Sequence, residues 1–309
     1  MPSLFRASLL ARSARRAPPR APRAPRRGLA VGLPDAIRQK TQVTAHSSPR
    51  STRERVDYPP IRGTSESHVF LAPFNPDAPT LARYDAAVAD WNDKNARRPG
   101  ATTVMRPVFL CLDFRAAGPQ FVCQSARHVK AETTEFVIDE VHADAEHFEA
   151  HGFEVLRRKV ECYGWSDGVP QTDEDALAWP DKYFEFHLRI NRREDAPDAR
   201  VTTAEVAQLR ALSESYTERF GVPVPLSFNA YKEGRQRFLN LRVGHCGLAT
   251  ALASVEHIKR DLAADPALKY LEVGKSHIEY VWWDDNRNMD RGWIDFTADE
   301  QESILGLAA

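Results

Sequence analysis

The sequence predicts an α+β protein in which one antiparallel βαββαβ unit occurs twice in tandem. Three observations predict this fold: six elements recur in the same order, matching elements lie about 118 residues apart, and the matched strands agree in register. We call the copies repeat 1, residues 67–164, and repeat 2, residues 182–300, with an acidic linker at 165–181 between them. A period this long indicates domain duplication, because solenoid repeats span roughly 20 to 50 residues.

The elements of repeat 1 follow from alternating apolar residues, caps and turn residues. Thr80 is expected to cap the first helix, which Pro99 and Gly100 end, and Gly152 follows the second helix in the position that a C-cap glycine prefers. The predicted strands are 68–74, 102–114, 120–129 and 153–163, and the predicted helices are 80–98 and 133–150.

Repeat 2 shows the same order of elements. Thr202 or Thr203 is expected to cap its first helix, and Gly221 follows that helix. The predicted strands are 183–190, 225–231, 235–243 and 270–283, and the predicted helices are 203–220 and 247–264. Each repeat should therefore form a ferredoxin-like sheet in strand order 4-1-3-2 with both helices on one face.

Strand register assigns side chains to the two faces of each sheet, because alternate residues point to opposite sides. An offset of 118 aligns Pro107 with Pro225, and Val160 with Ile278. The residues expected to face the helices in repeat 1 are Val69, Leu71, Val108, Leu110, Phe121, Cys123, Val160 and Cys162. Their counterparts in repeat 2 are Phe186, Leu188, Leu226, Phe228, Leu239, Leu241, Ile278 and Tyr280.

The other face of repeat 2 collects polar residues that are capable of chemistry. His187, Glu279 and Glu185 are the catalytic candidates, because strand order 4-1-3-2 makes their strands neighbours. The candidates for binding an anionic substrate are Arg242, Arg189, Asn229, Asn240, His277 and Ser227. Two other interpretations stay open: a merely solvated sheet face, or two polar faces packed on each other and hydrogen-bonded.

Paired ferredoxin-like lobes with strand histidines resemble the two-histidine phosphoesterases, in which two His-x-Thr/Ser motifs face each other across a cleft. The resemblance is architectural and covers roughly residues 66 to 285. Here His68-Val69-Phe70 and His187-Leu188-Arg189 lack the hydroxyl residue of the motif. The chemistry of that family is therefore not carried over to this chain.

Metal and cofactor signatures are weak. His147 and His151 lie four residues apart on a predicted helix, but Phe148 stands where a zincin motif has glutamate, so an exposed helix face is the favoured interpretation. The four cysteines show no paired spacing and are expected to be buried and reduced. Gly244-His245-Cys246-Gly247 precedes a helix and favours a cap over an anion site. We therefore expect neither a metal nor a cofactor.

The N-terminus predicts organellar targeting. Residues 1–34 hold eight arginines and no acidic residue, and the pattern is typical of a transit peptide over residues 1–31. The expected location is the mitochondrial matrix, with a plastid as the alternative. A polar arm at 32–66 follows, and an arm that binds nucleic acid or membrane is the other interpretation of the basic segment.

Composition narrows the function classes. Without those eight arginines, 34 basic residues face 43 acidic ones, a net charge of −9 that disfavours nucleic acid as a partner. No run of 18 apolar residues occurs, so we expect a soluble protein without a membrane span. The first hypothesis is a lineage-specific binding, structural or assembly subunit of a larger mitochondrial complex with a protein partner. The alternative is a hydrolase or lyase that acts on a phosphorylated or anionic small molecule in a cleft between the lobes.

Overall fold

A large antiparallel sheet and five helices form the described part of the chain. The computed structural model describes residues 58–96, 103–114, 118–131, 133–198, 200–220, 224–232 and 236–290. The strands are β1 Gly63–Leu71, β2 Arg106–Phe114, β3 Gly118–Ala131, β4 Val155–Tyr163, β5 Tyr183–Arg192, β6 Leu226–Asn229, β7 Gln236–Gly244, β8 Leu271–Val273 and β9 His277–Asp284. The helices are α1 Ala78–Asn95, α2 Thr134–Ala150, α3 Asp173–Ala176, α4 Thr203–Phe220 and α5 Leu248–Ala264. The predicted antiparallel sheet with helices is confirmed.

Eight of the strands close into a ring. The first four pair in the order β2-β3-β1-β4 and the later ones in the order β6-β7-β5-β9, all antiparallel. Two ladders join these groups, because β2 pairs with β6 and β4 pairs with β9. Strand β8 attaches to the end of β5. An eight-stranded ring has an interior that side chains can fill.

The apolar core lies between the helices and the outer face of the ring. Val69 of β1 and Leu188 of β5 are fully buried there, together with Val141 of α2 and Ile258 of α5. Burial of apolar side chains contributes about 25 cal/mol per Å² of area removed from water, so this layer supplies the main driving force for folding. None of the helices in the described ranges is long and apolar enough to cross a membrane.

Several expectations about element ends were wrong. Asp77 caps α1 in place of Thr80, because its side chain accepts a hydrogen bond from the Thr80 amide. Strand β1 begins at Gly63, so the polar arm expected at 32–66 ends earlier. The single last strand expected at 270–283 is divided into β8 and β9. The predicted transit peptide, residues 1–31, and most of the predicted polar arm lie outside the described residues.

The assignment of Val108 and Leu110 to the helix side was also wrong. Val108 pairs with Gln124, which shares a face with the buried polar residues, and Leu110 pairs with Val122. The helix side of β2 carries Phe109 and Cys111 instead. The segment VFLCL is apolar at every position, so alternation does not show which of its residues face the helices. A shift of one residue exchanges the side chains on the two faces of the sheet.

Candidate functional site

The polar faces of both strand groups are buried inside the ring. Helices cover the outer face, and ring closure removes the inner face from water. We define the interior cluster as the charged residues that interact there: His68, Arg157, Lys159, Glu161, Glu185, His187, Arg242, Glu279 and Asp284. Of the two interpretations of the polar faces, the packed arrangement is therefore the one observed among the described residues.

Glu185 forms ion pairs with two basic residues of other strands. Its Oε2 lies 2.9 Å from Lys159 Nζ of β4, and its Oε1 lies 2.9 Å from Arg242 of β7. Burial favours the neutral acid, but the charges of Arg242 and Lys159 hold the pKa of Glu185 well below its usual range. Glu185 therefore stays ionised and is not suited to accept or donate a proton.

Glu161 and His68 extend the cluster toward β1. His68 Nε2 lies 2.7 Å from Glu161 Oε1, and Lys159 Nζ lies 2.6 Å from Glu161 Oε2. Burial again favours the neutral acid, yet Lys159 and His68 lower the pKa of Glu161 below its usual range. The pKa of His68 is raised, because Glu161 outweighs the effect of burial. Glu161 thus lies between Lys159 and His68 of its own chain.

His187 donates hydrogen bonds from both ring nitrogens. Its Nδ1 lies 2.6 Å from Asn240 Oδ1, and the Asn240 amide nitrogen donates to Ser227 Oγ at 2.8 Å. Its Nε2 lies 3.3 Å from Glu279 Oε2. Burial lowers the pKa of His187, but the bond to Glu279 and the charge of Glu185 outweigh it and raise the pKa to about 9. The ring is an imidazolium at pH 7 and has no lone pair with which to act as a base.

Unlike Glu161 and Glu185, Glu279 has a raised pKa. Burial and the charge of Glu161 raise the pKa of Glu279 to about 7, against the hydrogen bond from His187. Glu279 also lines a small depression at the end of the ring where β1 begins, beside Glu66, His128 and Tyr163. His187 itself is 29% exposed, so the pair is within reach of solvent.

The predicted site residues come together only in part. His187, Glu279, Glu185, Arg242, Asn240 and Ser227 are linked by the contacts above, and His277 Nδ1 lies 3.8 Å from Glu279. Asn229 is outside the group, since its side-chain oxygen accepts from the amides of Phe109 and Tyr231. Among the described residues, Arg189 forms no hydrogen bond or ion pair with the cluster, and its buried Nε has no hydrogen-bond partner.

Five members of the cluster were not among the predicted site residues: His68, Arg157, Lys159, Glu161 and Asp284. Arg157 pairs with Asp284, with Nε 3.0 Å from Oδ1, and a further guanidinium nitrogen donates to Tyr183 Oη at 3.3 Å. The alternation of Arg157, Lys159 and Glu161 along β4 was the available signal for three charges on one face. The position of Asp284 carried no such signal, because irregular pairing between β4 and β9 sets its register.

Two overlapping sets of residues offer metal-ligand atoms within 4.8 Å of one another: Glu66, which is outside the interior cluster, with His68 and Glu161, and Glu161 with His187 and Glu279. Both sets depend on Glu161, whose two oxygens already contact His68 and Lys159. A divalent cation at either place would lie beside the ammonium of Lys159. The arrangement thus favours paired charges over a metal centre.

Comparisons with known proteins give distant likenesses. No family model matches the chain, and no curated protein matches it. A dye-decolorizing protein from V. cholerae is 11% identical, with 72% of this chain and 95% of that chain covered and a TM-score of 0.23. A protein described as a chlorite dismutase is 9% identical, with 80% and 100% covered and a TM-score of 0.23.

A protein described as a Dyp-type peroxidase from Shewanella oneidensis is 8% identical, with 72% of this chain and 96% of that chain covered and a TM-score of 0.21. Because the TM-scores are this low, the three likenesses carry no argument about the fold or the site of this chain.

Proposed function

We propose that this protein acts by binding, as a structural or assembly subunit of a larger mitochondrial complex. The observation that supports this is the pairing of the candidate catalytic groups with partners from the same chain. Glu185 lies between Lys159 and Arg242, and His187 is held between Asn240 and Glu279. Side chains whose hydrogen bonds and ion pairs are all made within the chain hold one geometry, and they have few donors or acceptors left for a substrate.

We propose the connector between β4 and β5 as the surface that binds the partner. Tyr163 and Trp165 stack in parallel with ring centroids 5.3 Å apart. Trp165 is 61% exposed, and Leu177 farther along the connector is 75% exposed. Large apolar side chains presented to solvent are typical of protein interaction sites, and tryptophan is frequent among the residues that dominate binding. The expected partner is a protein with an apolar patch.

Native electrophoresis of the protein from its own cells tests this proposal. We expect migration with an assembly much larger than 34.8 kDa, and release from it by the double substitution Trp165→Ala and Leu177→Ser. Phe136→Ser is the matched control, because Phe136 is 51% exposed on α2, outside the connector. Wild-type protein found only as a free monomer would contradict the proposal.

The proposed location is the mitochondrial matrix, with a plastid as the alternative. The basic, acid-free composition of residues 1–31 supports it. Residues 1–66 fused to a fluorescent protein should enter the organelle, and replacement of Arg6, Arg12, Arg15 and Arg16 by alanine should leave the fusion outside. Equal distribution of both fusions would contradict the assignment.

Residues 67–164 and 182–300 are further proposed to be two ferredoxin-like lobes that arose by internal duplication. The order β2-β3-β1-β4 in the first group and β6-β7-β5-β9 in the second supports this. The sequence offset of 118 residues between β4 and β9, which aligns Val160 with Ile278, supports it independently.

A second candidate function rests on His187 and Glu279. A partly exposed imidazolium beside a carboxyl group with a pKa of about 7 is suited to protonate an anionic small molecule that approaches from the end of the ring. We would assay a panel of phosphate esters and carboxylates for binding and turnover. If His187→Ala and Glu279→Ala leave every measurement unchanged, this candidate is wrong.

A further inference from the structure

Two histidines of α2 and one aspartate of α1 form a cluster on the helix layer, apart from the interior cluster. His147 and His151 lie one turn apart with ring centroids 4.4 Å from each other. Asp90 of α1 faces them, with its Oδ2 3.2 Å from His151 Nε2. One ligand atom from each of the three residues lies within 4.8 Å of the other two. The third ligand was not visible from sequence because it comes from another helix.

The hydrogen bonds around the histidines fix which nitrogens carry lone pairs. His151 Nδ1 lies 2.8 Å from the carbonyl oxygen of His147, so Nδ1 carries the proton and donates it there. In a neutral ring, the Nε2 lone pair then faces the Asp90 carboxylate. Two lone pairs 3.2 Å apart repel each other unless a proton or a metal ion lies between them.

The ring of His147 also donates a hydrogen bond to a backbone carbonyl. Its Nε2 lies 2.8 Å from the carbonyl oxygen of Ala87 and donates a hydrogen bond to it, which leaves the lone pair on Nδ1. A backbone carbonyl that accepts from the nitrogen not bound to metal is a typical outer partner of a histidine ligand. His147 Nε2 also lies 3.9 Å from Asp90 Oδ2, so the ring has to turn for Nδ1 to replace it beside the carboxylate.

We propose that Asp90, His147 and His151 form a Zn²⁺ site that clamps α1 to α2. Two imidazoles and one carboxylate are a common zinc ligand set, with a fourth position for water. Ligand atoms in tetrahedral zinc sites lie about 3.3–3.5 Å apart, because each is about 2.0–2.2 Å from the metal. The observed spacings thus require side-chain adjustments of about 1 Å.

Lys94 is the competitor for the site. Its Nζ lies 2.6 Å from Asp90 Oδ2, and the side chain is 63% exposed. An exposed ion pair of this kind contributes little stability, so the lysine is readily displaced. The clamp joins two helices of the outer layer and is independent of the binding function proposed above.

The test is Zn²⁺ binding by the untagged full-length protein, measured by competition with a chromophoric chelator and by thermal unfolding. We expect one Zn²⁺ per chain and a rise of the unfolding temperature with added Zn²⁺. Asp90→Asn and His151→Gln should weaken binding by at least about 100-fold, and Lys94→Ala should strengthen it. His257→Gln on α5 is the matched control and should bind as the wild type does.

The substituted side chains are partly exposed, so each variant is expected to fold. Unfolding temperatures measured without metal check this. Absence of stoichiometric binding by the wild-type protein would overturn the proposal. It would equally be overturned if Asp90→Asn and His151→Gln bound Zn²⁺ as tightly as His257→Gln does.

Discussion

At the residue scale, Arg157 is a buried charge whose energetic cost is offset by an ion pair with Asp284. Its side chain is almost completely buried, and it forms two hydrogen bonds with Asp284, which is also buried. Removing ions from water is costly, so such a pair contributes little net stability while each partner depends strongly on the other. The same reasoning applies to Lys159 between Glu161 and Glu185.

Arg157→Met should destabilise the protein by about 3–5 kcal/mol, because it leaves Asp284 buried without its cation. The double variant with Asp284→Leu should recover most of that loss, since no uncompensated charge remains. Urea unfolding at pH 7 measures both free energies. A double variant no more stable than Arg157→Met would refute this account of the pair.

His187 should make stability depend on pH. Its pKa is raised to about 9 in the folded protein and is about 6.5 when unfolded, so its stabilisation is complete below pH 6.5 and is lost as pH rises toward 9. Each unit of pKa shift corresponds to about 1.4 kcal/mol, and partial exposure reduces the total to roughly 1–3 kcal/mol. His187→Gln should flatten the decline in urea unfolding measured from pH 6 to pH 9, whereas His257→Gln should not. If the free energy of unfolding falls equally with pH in the wild type and in His187→Gln, another group causes the pH dependence.

At the scale of elements, the N-terminus of α5 is occupied by a carboxylate of the same chain. The amide of Gly247 donates to Asp173 Oδ1 at 2.8 Å, and Thr250 Oγ1 donates to Asp173 Oδ2 at 3.0 Å. A carboxylate is favoured there by the free amides and the helix dipole. The cap that the sequence favoured at this position is thus supplied by α3, and it fastens the connector to α5.

Gly247→Ala should destabilise the protein, because an added Cβ would lie 2.4 Å from the carbonyl carbon of Thr172 and 2.6 Å from the Gln171 oxygen. Both neighbours are backbone atoms, so relief requires movement of the connector, and we expect a loss of about 1–3 kcal/mol. Gly152→Asn is the control, since nothing lies within 4 Å of that position and asparagine tolerates its positive φ. Thermal unfolding compares the two, and equal stability of both variants would contradict the close approach.

At the scale of the whole described unit, closure of the ring makes the two strand groups depend on each other. The β2–β6 and β4–β9 ladders and the Lys159–Glu185 ion pair all cross between the groups. Each group alone would expose its charged inner face and two unpaired strand edges. The groups should therefore fold together even if each is a ferredoxin-like lobe.

Residues 56–176 and 177–309 expressed separately should each lack a cooperative unfolding transition, and mixing them should restore one together with a 1:1 association. Calorimetry and size-exclusion chromatography measure these outcomes. The intact chain is the control. A monomeric, cooperatively folded fragment 56–176 would show that its strands do not need the second group.

The sequence by itself determined the order of elements, the antiparallel sheet and the set of polar residues on one face of repeat 2. It did so because strand alternation, helix caps and turn glycines are local properties of the chain. Only the tertiary structure decided that the polar faces close against each other, that β2 presents Phe109 and Cys111 to the helices, and that Asp90 meets His147 and His151. These outcomes depend on pairings between residues far apart in the chain, and local periodicity carries no information about them.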